Sequence, residues 1–210
     1  MFEDREEAGL RLCPKLKVYS SKKGVFLVGL TRGGVVTAKV ISNLTGLKLK
    51  ALVVKKIGAP GNEELALGAI ASSKDIYWNK RLLKELKLSK KEKDYLVLQK
   101  KKEINLSEKE FGIKLSKHEF SGKTVILVDD GVATGASVMA ACMFLKRNKA
   151  KKIILATPVI ASDTLSNINS YFDGVIYLEK RINFYAVGEF YRNFPQVENV
   201  EVRQILTSSN

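Results

Sequence analysis

The chain has 210 residues, 45% of them hydrophobic and 28% charged, which is the make-up of one folded domain with a sizeable core and excludes a disordered chain. Its formal net charge is +14, from 36 Lys and Arg against 22 Asp and Glu. The basic residues are mostly lysine, are spread along the chain and do not alternate with aromatics, which argues against a base-stacking nucleic-acid platform and suits the steering of small polyanions.

No apolar run approaches the roughly 18 residues of a membrane span. Met1-Phe2-Glu3-Asp4-Arg5-Glu6-Glu7 is acidic and amphipathic, unlike a secretion signal. Cys13 and Cys142 are the only cysteines, and both lie in helix-like apolar patterns that suit reduced, buried thiols. A cytoplasmic protein is expected.

Residues 3–13 have the pattern of a helix. After the turn Lys22-Lys23-Gly24, Val25 to Leu30 is a buried strand running into Thr31-Arg32-Gly33-Gly34, with a helix from Val35 to about Leu44 ended by Gly46. A strand, a glycine loop and a helix start make an anion seat, and the Arg32 fork can add bidentate contacts to phosphate oxygens. Leu47 to Val54 is a second strand that delivers Lys55-Lys56 at its C-terminal end, the edge where open α/β sheets place ligands. For both lysines an exposed strand end competes with a ligand role. Ile57 to Glu64 reads as a Gly/Pro-punctuated loop and Leu65 to Ala71 as a short strand.

Residues 79–120 change character. Asn79 to Leu88, Lys90 to Leu106 and Ser107 to Leu115 have helical periods, the last with a capping-box-like Ser107-Glu108-Lys109-Glu110. This is a helical insertion that either forms a lid or dimer contact or stands as a solvated helical pair. His118, the only histidine, lies in a polar linker that suits a surface role.

Val125-Ile126-Leu127-Val128 is a buried strand, and Asp129-Asp130-Gly131-Val132-Ala133-Thr134-Gly135-Ala136-Ser137 follows, leading into a helix from Val138 to Lys146. Small residues let backbone approach a phosphate at the helix start, where amides and dipole attract it. Two aspartates would repel phosphate but suit hydroxyls or a magnesium ion. A loop with a diol end and a phosphate end fits a ribose 5-phosphate.

This stretch resembles the phosphoribosyl-pyrophosphate (PRPP) signature of the type I phosphoribosyltransferases. Asp4-Arg5-Glu6-Glu7-Ala8-Gly9, Arg32-Gly33-Gly34 and Lys56-Ile57-Gly58-Ala59-Pro60-Gly61-Asn62 are similar to motifs of a bacterial group within that family, so the resemblance spans most of the chain. It implies a Rossmann-like open parallel sheet flanked by helices, in one domain over residues 1–210. The helical insertion at 79–120 and a small hood-like C-terminal segment at 180–210 would complete that domain.

The resemblance also implies the chemistry: Mg²⁺-dependent transfer of the phosphoribosyl group from PRPP to a nitrogenous base or amine, with release of pyrophosphate. Asp129 and Asp130 would hold the ribose hydroxyls and, through ribose or water, the metal. Gly131 to Ser137, with the Thr134 and Ser137 hydroxyls, would hold the 5-phosphate. Thr31, Arg32, Gly33, Gly34, Lys55 and Lys56 would hold pyrophosphate, with a non-proline cis peptide at Thr31–Arg32. In the tail, Tyr185-Ala186-Val187-Gly188 is similar to the stretch that stacks on the base in purine enzymes of the family, so Tyr185, Val187 and Gly188 are candidates for the acceptor. Phe184, Phe190 and Phe194 suit the core better. Ala133 stands where many 6-oxopurine enzymes carry an aspartate, which disfavours hypoxanthine or guanine without choosing between uracil and adenine. A homodimer is expected, and the alternative role is a PRPP-sensing regulator that binds nucleic acid without turnover.

After the signature, Lys152 to Val159 and Gly174 to Leu178 read as strands around a helix from Ala161 to Ile168, the alternation of a parallel sheet. Val200 to Leu206 closes the chain as helix or strand.

Overall fold

The computed structural model describes residues 1–72, 74–116 and 118–208. Lys117, inside the expected insertion, and residues 209–210 at the end of the expected C-terminal segment lie outside the described residues. Five strands, β1 (Val25–Leu30), β2 (Lys48–Leu52), β6 (Thr124–Val128), β7 (Lys152–Ala161) and β8 (Gly174–Arg181), form a parallel sheet in the order β2-β1-β6-β7-β8. Three more, β3 (Val54–Ala59), β4 (Asn62–Ala71) and β5 (Asp75–Trp78), form a separate antiparallel sheet.

The central strands are continuous apolar runs because both of their faces are covered. Side chains alternate across a strand, so Val125, Leu127, Ile153 and Leu155 face the helix α5 (Ala136–Arg147) through Val138, Met139 and Leu145. Ile126, Ile154 and Leu27 point the other way, onto Leu12 of α1 (Arg5–Leu12), Leu16, and Ala38 and Ile41 of α2 (Gly33–Thr45). Full burial of each such side chain is worth about 1.5–3 kcal/mol, and a one-residue slip of register would exchange the two faces. Asp4 caps α1, its carboxylate accepting from the Glu7 amide at 2.8 Å, and Gly46 ends α2 in the left-handed region at φ 69°.

Four expectations change. Leu47–Val54 is not one strand. The chain leaves the parallel sheet after Leu52, and Val54 begins β3 of the second sheet. The expected loop at Ile57–Glu64 is mostly strand, because β3 and β4 pair as a hairpin turning at Pro60-Gly61, with register shifts around Gly58. The third expected helix start, at Ser107, lies inside a single helix α4 (Lys90–Phe111), where Ser107 is buried. The capping box instead closes at Ser89 and Glu92. Both serines begin a Ser-x-x-Glu pattern, but only Ser89 follows a break, the left-handed Lys87 that ends α3 (Lys80–Leu86). The insertion is also not a solvated pair throughout: α3 buries nothing, whereas Ile104 and Phe111 of α4 pack with Val35, Ile57 and Ile70.

α6 (Ser162–Ile168) links β7 towards β8, and the last segment is helical, α7 (Asn199–Thr207), with Val202 in the core. Both chain ends meet over one end of the sheet. The Phe2 amide donates to the Phe190 carbonyl at 2.7 Å, and the amides of Arg192 and Asn193 donate to the carbonyls of Phe2 and Glu3 at 2.9 Å each. Phe184, Phe190, Phe194 and Tyr191 pack there with Phe2 and Ala8, the core role expected of the phenylalanines. Cys13 and Cys142 are buried free thiols. Among the described residues no helix is long and apolar enough to cross a membrane.

Candidate active site

The C-terminal ends of β1 and β6 are neighbours in the sheet, and the loops after them face each other across a cavity of about 190 Å³. One wall is Thr31, Arg32 and Gly33; the other is the whole run Asp129 to Ser137. Lys56 enters from β3, Val187 from the C-terminal segment, and Leu30, Val54 and Val138 add apolar surface.

The β6 loop has the construction of an anion cradle. The Val132 amide donates to Val159 and the Val132 carbonyl accepts from Ala161, so the loop is stitched to β7 at its first turn. Thr164 Oγ1 donates to the Ala133 carbonyl at 2.5 Å and fixes it from α6. Beyond that point the amides of Thr134, Gly135, Ala136 and Ser137 find no acceptor among the described residues, and they stand at the N-terminus of α5. Unpaired amides with an aligned helix dipole are a phosphate seat. The Thr31–Arg32 peptide is cis.

Asp129 and Asp130 are not equivalent. The Asp130 amide donates to Asp129 Oδ1 at 3.1 Å, and Lys56 is the cation beside Asp129. Withdrawal from water, and then the charge of Asp130, push the Asp129 carboxyl well above its ordinary 3.8, with Lys56 opposing. Asp130 is instead held from outside: Arg5 Nε donates to its Oδ2 at 2.7 Å, and the Tyr191 hydroxyl donates to its backbone carbonyl at 2.5 Å. Burial, first, and Asp130 push the Tyr191 phenol far up, so it stays a donor.

A carboxyl whose folded pKa is raised binds its proton better folded than unfolded. Stability therefore falls as pH rises from about 3.8 through the folded value, and Asp129 costs stability at neutral pH. Asp129→Asn is expected to melt higher than the wild type at pH 7, with the gap closing as pH falls below about 4, measured by thermal denaturation across a pH series.

Several expected residues sit elsewhere. Lys55 does not line the cavity: it points to the other side of β3, where burial lowers its amine's pKa, and Glu103 of α4 opposes that shift. Tyr185 is 83% exposed, and Gly188 packs against the Phe194 ring; neither lines the cavity, and of the three acceptor candidates only Val187 does. Arg32 lines it, but its Nη1 also reaches Asn199 of α7 at 3.4 Å, which in turn donates to the Glu110 carboxylate at 2.9 Å. Gly34 lies one residue behind the wall. His118 is exposed and away from the cavity. Sequence reasoning assigned no site role to Arg5 or Tyr191. Arg5 stood in a quoted motif, and Tyr191 ends the aromatic stretch that begins at Tyr185 without having been singled out.

Comparison with known proteins agrees with this geometry. The family model of the phosphoribosyl transferase domain matches residues 15–194. A curated protein of Mycobacterium tuberculosis (strain CDC 1551 / Oshkosh), named "Putative phosphoribosyl transferase", is 34% identical over 202 residues, covering 96% of this chain and 45% of that protein. The chain thus spans about half the length of that relative. The crystal structure of a Thermus thermophilus protein aligns with a TM-score of 0.79 at 29% identity, covering 99% of this chain and 98% of that one. An Aquifex aeolicus protein structure shares the fold at a TM-score of 0.54 and 16% identity, over 85% of this chain and 76% of that one. With its parallel sheet, its loop of unpaired amides and its aspartate pair, the chain belongs to the phosphoribosyl transferase family, with the Rossmann-like type I fold.

Proposed function

We propose that this domain transfers the 5-phosphoribosyl group of PRPP to a nitrogenous base or amine, releasing pyrophosphate with the help of Mg²⁺. The observation that carries this reading is the meeting, on one cavity, of the amide cradle Thr134–Ser137, the pair Asp129–Asp130, and the Thr31–Gly33 loop with Lys56. A monophosphate binder would need the first two alone. The third supplies a second anion seat, placed where pyrophosphate would leave.

The departing pyrophosphate leaves positive charge on C1 of the ribose, so the residues' task is positioning and electrostatics. The cradle anchors the 5-phosphate, the aspartates accept from the ribose 2- and 3-hydroxyls, and Lys56 with the Arg32 loop holds the leaving group. The donor set fits Mg²⁺ in the way this ion prefers, one or two carboxylates, here Asp129 and Asp130 on the cavity wall, completed by substrate oxygens and water. Withdrawal from water raises the Asp129 carboxyl first and repulsion from Asp130 adds to it, and a cation at the pair would relieve that repulsion. When bound, Mg²⁺ would neutralise charge on the pyrophosphate.

The test is incubation with PRPP, Mg²⁺ and a panel of nucleobases and amines, following pyrophosphate. Release with one acceptor establishes the activity. Silence with all of them, together with salt-sensitive retention of RNA or DNA, would favour a regulator of the same fold.

A further inference from the structure

We infer that Arg5 is a positioning residue of this site, fixing the Asp130 carboxylate in one orientation and tying both chain ends to the ribose-binding loop; this rests on the transferase reading above. Arg5 opens α1, 125 residues away from Asp130 in sequence, and its side chain is only 10% exposed. A buried guanidinium persists only when its donors are satisfied. Here two of its nitrogens are paired and its face is covered: Nε donates to Asp130 Oδ2 at 2.7 Å, Nη1 donates to the Pro195 carbonyl at 2.8 Å, and Cζ lies 3.7 Å from the centre of the Phe194 ring.

Three consequences follow for the site. Arg5 engages Asp130 Oδ2 and the Asp129 carboxyl also meets this carboxylate, so its remaining lone pairs, on the side that lines the cavity, are where a ribose hydroxyl would donate. The pair also sets the spacing of the two walls. A Cβ on Gly33 would lie 1.8 Å from Asp130 Oδ2 and 2.8 Å from Arg5 Nε, so the pyrophosphate-side loop packs directly on the ion pair. Finally, Tyr191 grips the Asp130 carbonyl while Arg5 grips its carboxylate, and Phe194 and Pro195 hold Arg5. The hood of joined chain ends is thereby fastened to the residue that would meet the sugar.

The test uses the full chain as Arg5→Gln, Arg5→Lys, Asp130→Asn and Arg5→Gln/Asp130→Asn. PRPP affinity in the presence of Mg²⁺ is measured by calorimetry, and the ligand-free Arg5→Gln structure is solved. Lysine can pair with Asp130 but cannot also reach Pro195 in a fork or lie flat on Phe194, so Arg5→Lys keeps a foldable variant in hand. The expected result is a displaced Asp130 carboxylate in Arg5→Gln and PRPP affinity lower by about tenfold or more. A smaller loss is expected in Arg5→Lys, and almost no further loss when Arg5→Gln is added to Asp130→Asn. An unmoved Asp130 carboxylate, or losses that simply add, would overturn the assignment. Should the wild type bind no PRPP, the transferase reading falls, and the position of Asp130 in Arg5→Gln alone decides whether Arg5 positions it.

Discussion

Replacing Asp129 and Asp130 together by asparagine is expected to lower PRPP-dependent turnover by at least ~100-fold, the scale on which removing one electrostatic stabiliser of a transition state slows an enzyme. Each asparagine removes a charge that would face the developing positive ribose, and its amide group offers a donor where a hydroxyl needs an acceptor. The two substitutions differ in what they do to the fold. Asp129 costs stability at neutral pH, so its replacement relieves the protein. Asp130 balances the buried Arg5, and breaking a buried pair from one side costs about 3–5 kcal/mol. Turnover is therefore measured well below the melting temperature of the double variant, with Asp129→Asn alone as the folded reference. Near-normal turnover in the double variant would contradict the roles given to the pair.

The second large effect is expected at Gly34. A Cβ there would stand 2.5 Å from the Val128 carbonyl oxygen and 2.9 Å from Asp129 Cα, both backbone atoms that cannot swing aside. Gly34→Ala must push the start of α2 away from the end of β6, and so pull the two walls of the cavity apart. Overpacking of this kind costs about 1–3 kcal/mol. A displacement near 1 Å between groups that hold one substrate costs on the order of 100-fold in rate. Both a lower melting temperature and a kcat/KM for PRPP reduced about 100-fold are expected. Gly174→Ala is the control: nothing lies within 4 Å of its added Cβ, and it should leave both quantities unchanged. A Gly34→Ala enzyme with wild-type kcat/KM would show that the two loops do not act on one ligand.

The parallel sheet was legible because its central strands β1, β6 and β7 are largely buried on both faces and so read as nearly unbroken apolar runs. Val25–Leu30 carries the same bounds in the sequence pattern and in the structure. The end of α2 at Gly46 was legible for a local reason, since a glycine cap is decided within a few residues, whereas α1 was legible as a helix but runs over Arg5–Leu12 rather than 3–13. The β3–β4 hairpin was not legible. Ile57-Gly58-Ala59-Pro60-Gly61-Asn62 has the composition of a loop, and it becomes strand only through pairing with residues further along. The same cause explains Lys55 and Lys56. Which of two adjacent strand residues faces a cavity depends on how the strand is laid down, and only Lys56 faces this one.

Within the site, the Asp129–Ser137 loop could be read because its chemistry is contiguous, and every one of its residues lines the cavity. Arg5 could not be, because its partner lies 125 residues away, and a charged residue in an amphipathic helix ordinarily faces water. The aromatic tail misled for a related reason. Residues 184–194 lack a period that would say which ring points inward, and the structure turns Tyr185 to solvent while Tyr191 goes to Asp130.

The central claim is that one cavity joins a phosphate seat, a diol seat and a pyrophosphate seat. Calorimetric titration of the wild type with PRPP, ribose 5-phosphate and pyrophosphate, each with Mg²⁺, tests it most directly. PRPP is expected to bind at least about tenfold more tightly than either fragment, because charge-assisted contacts worth about 1.5–3 kcal/mol each are engaged at both ends at once. Ribose 5-phosphate binding as tightly as PRPP would contradict it.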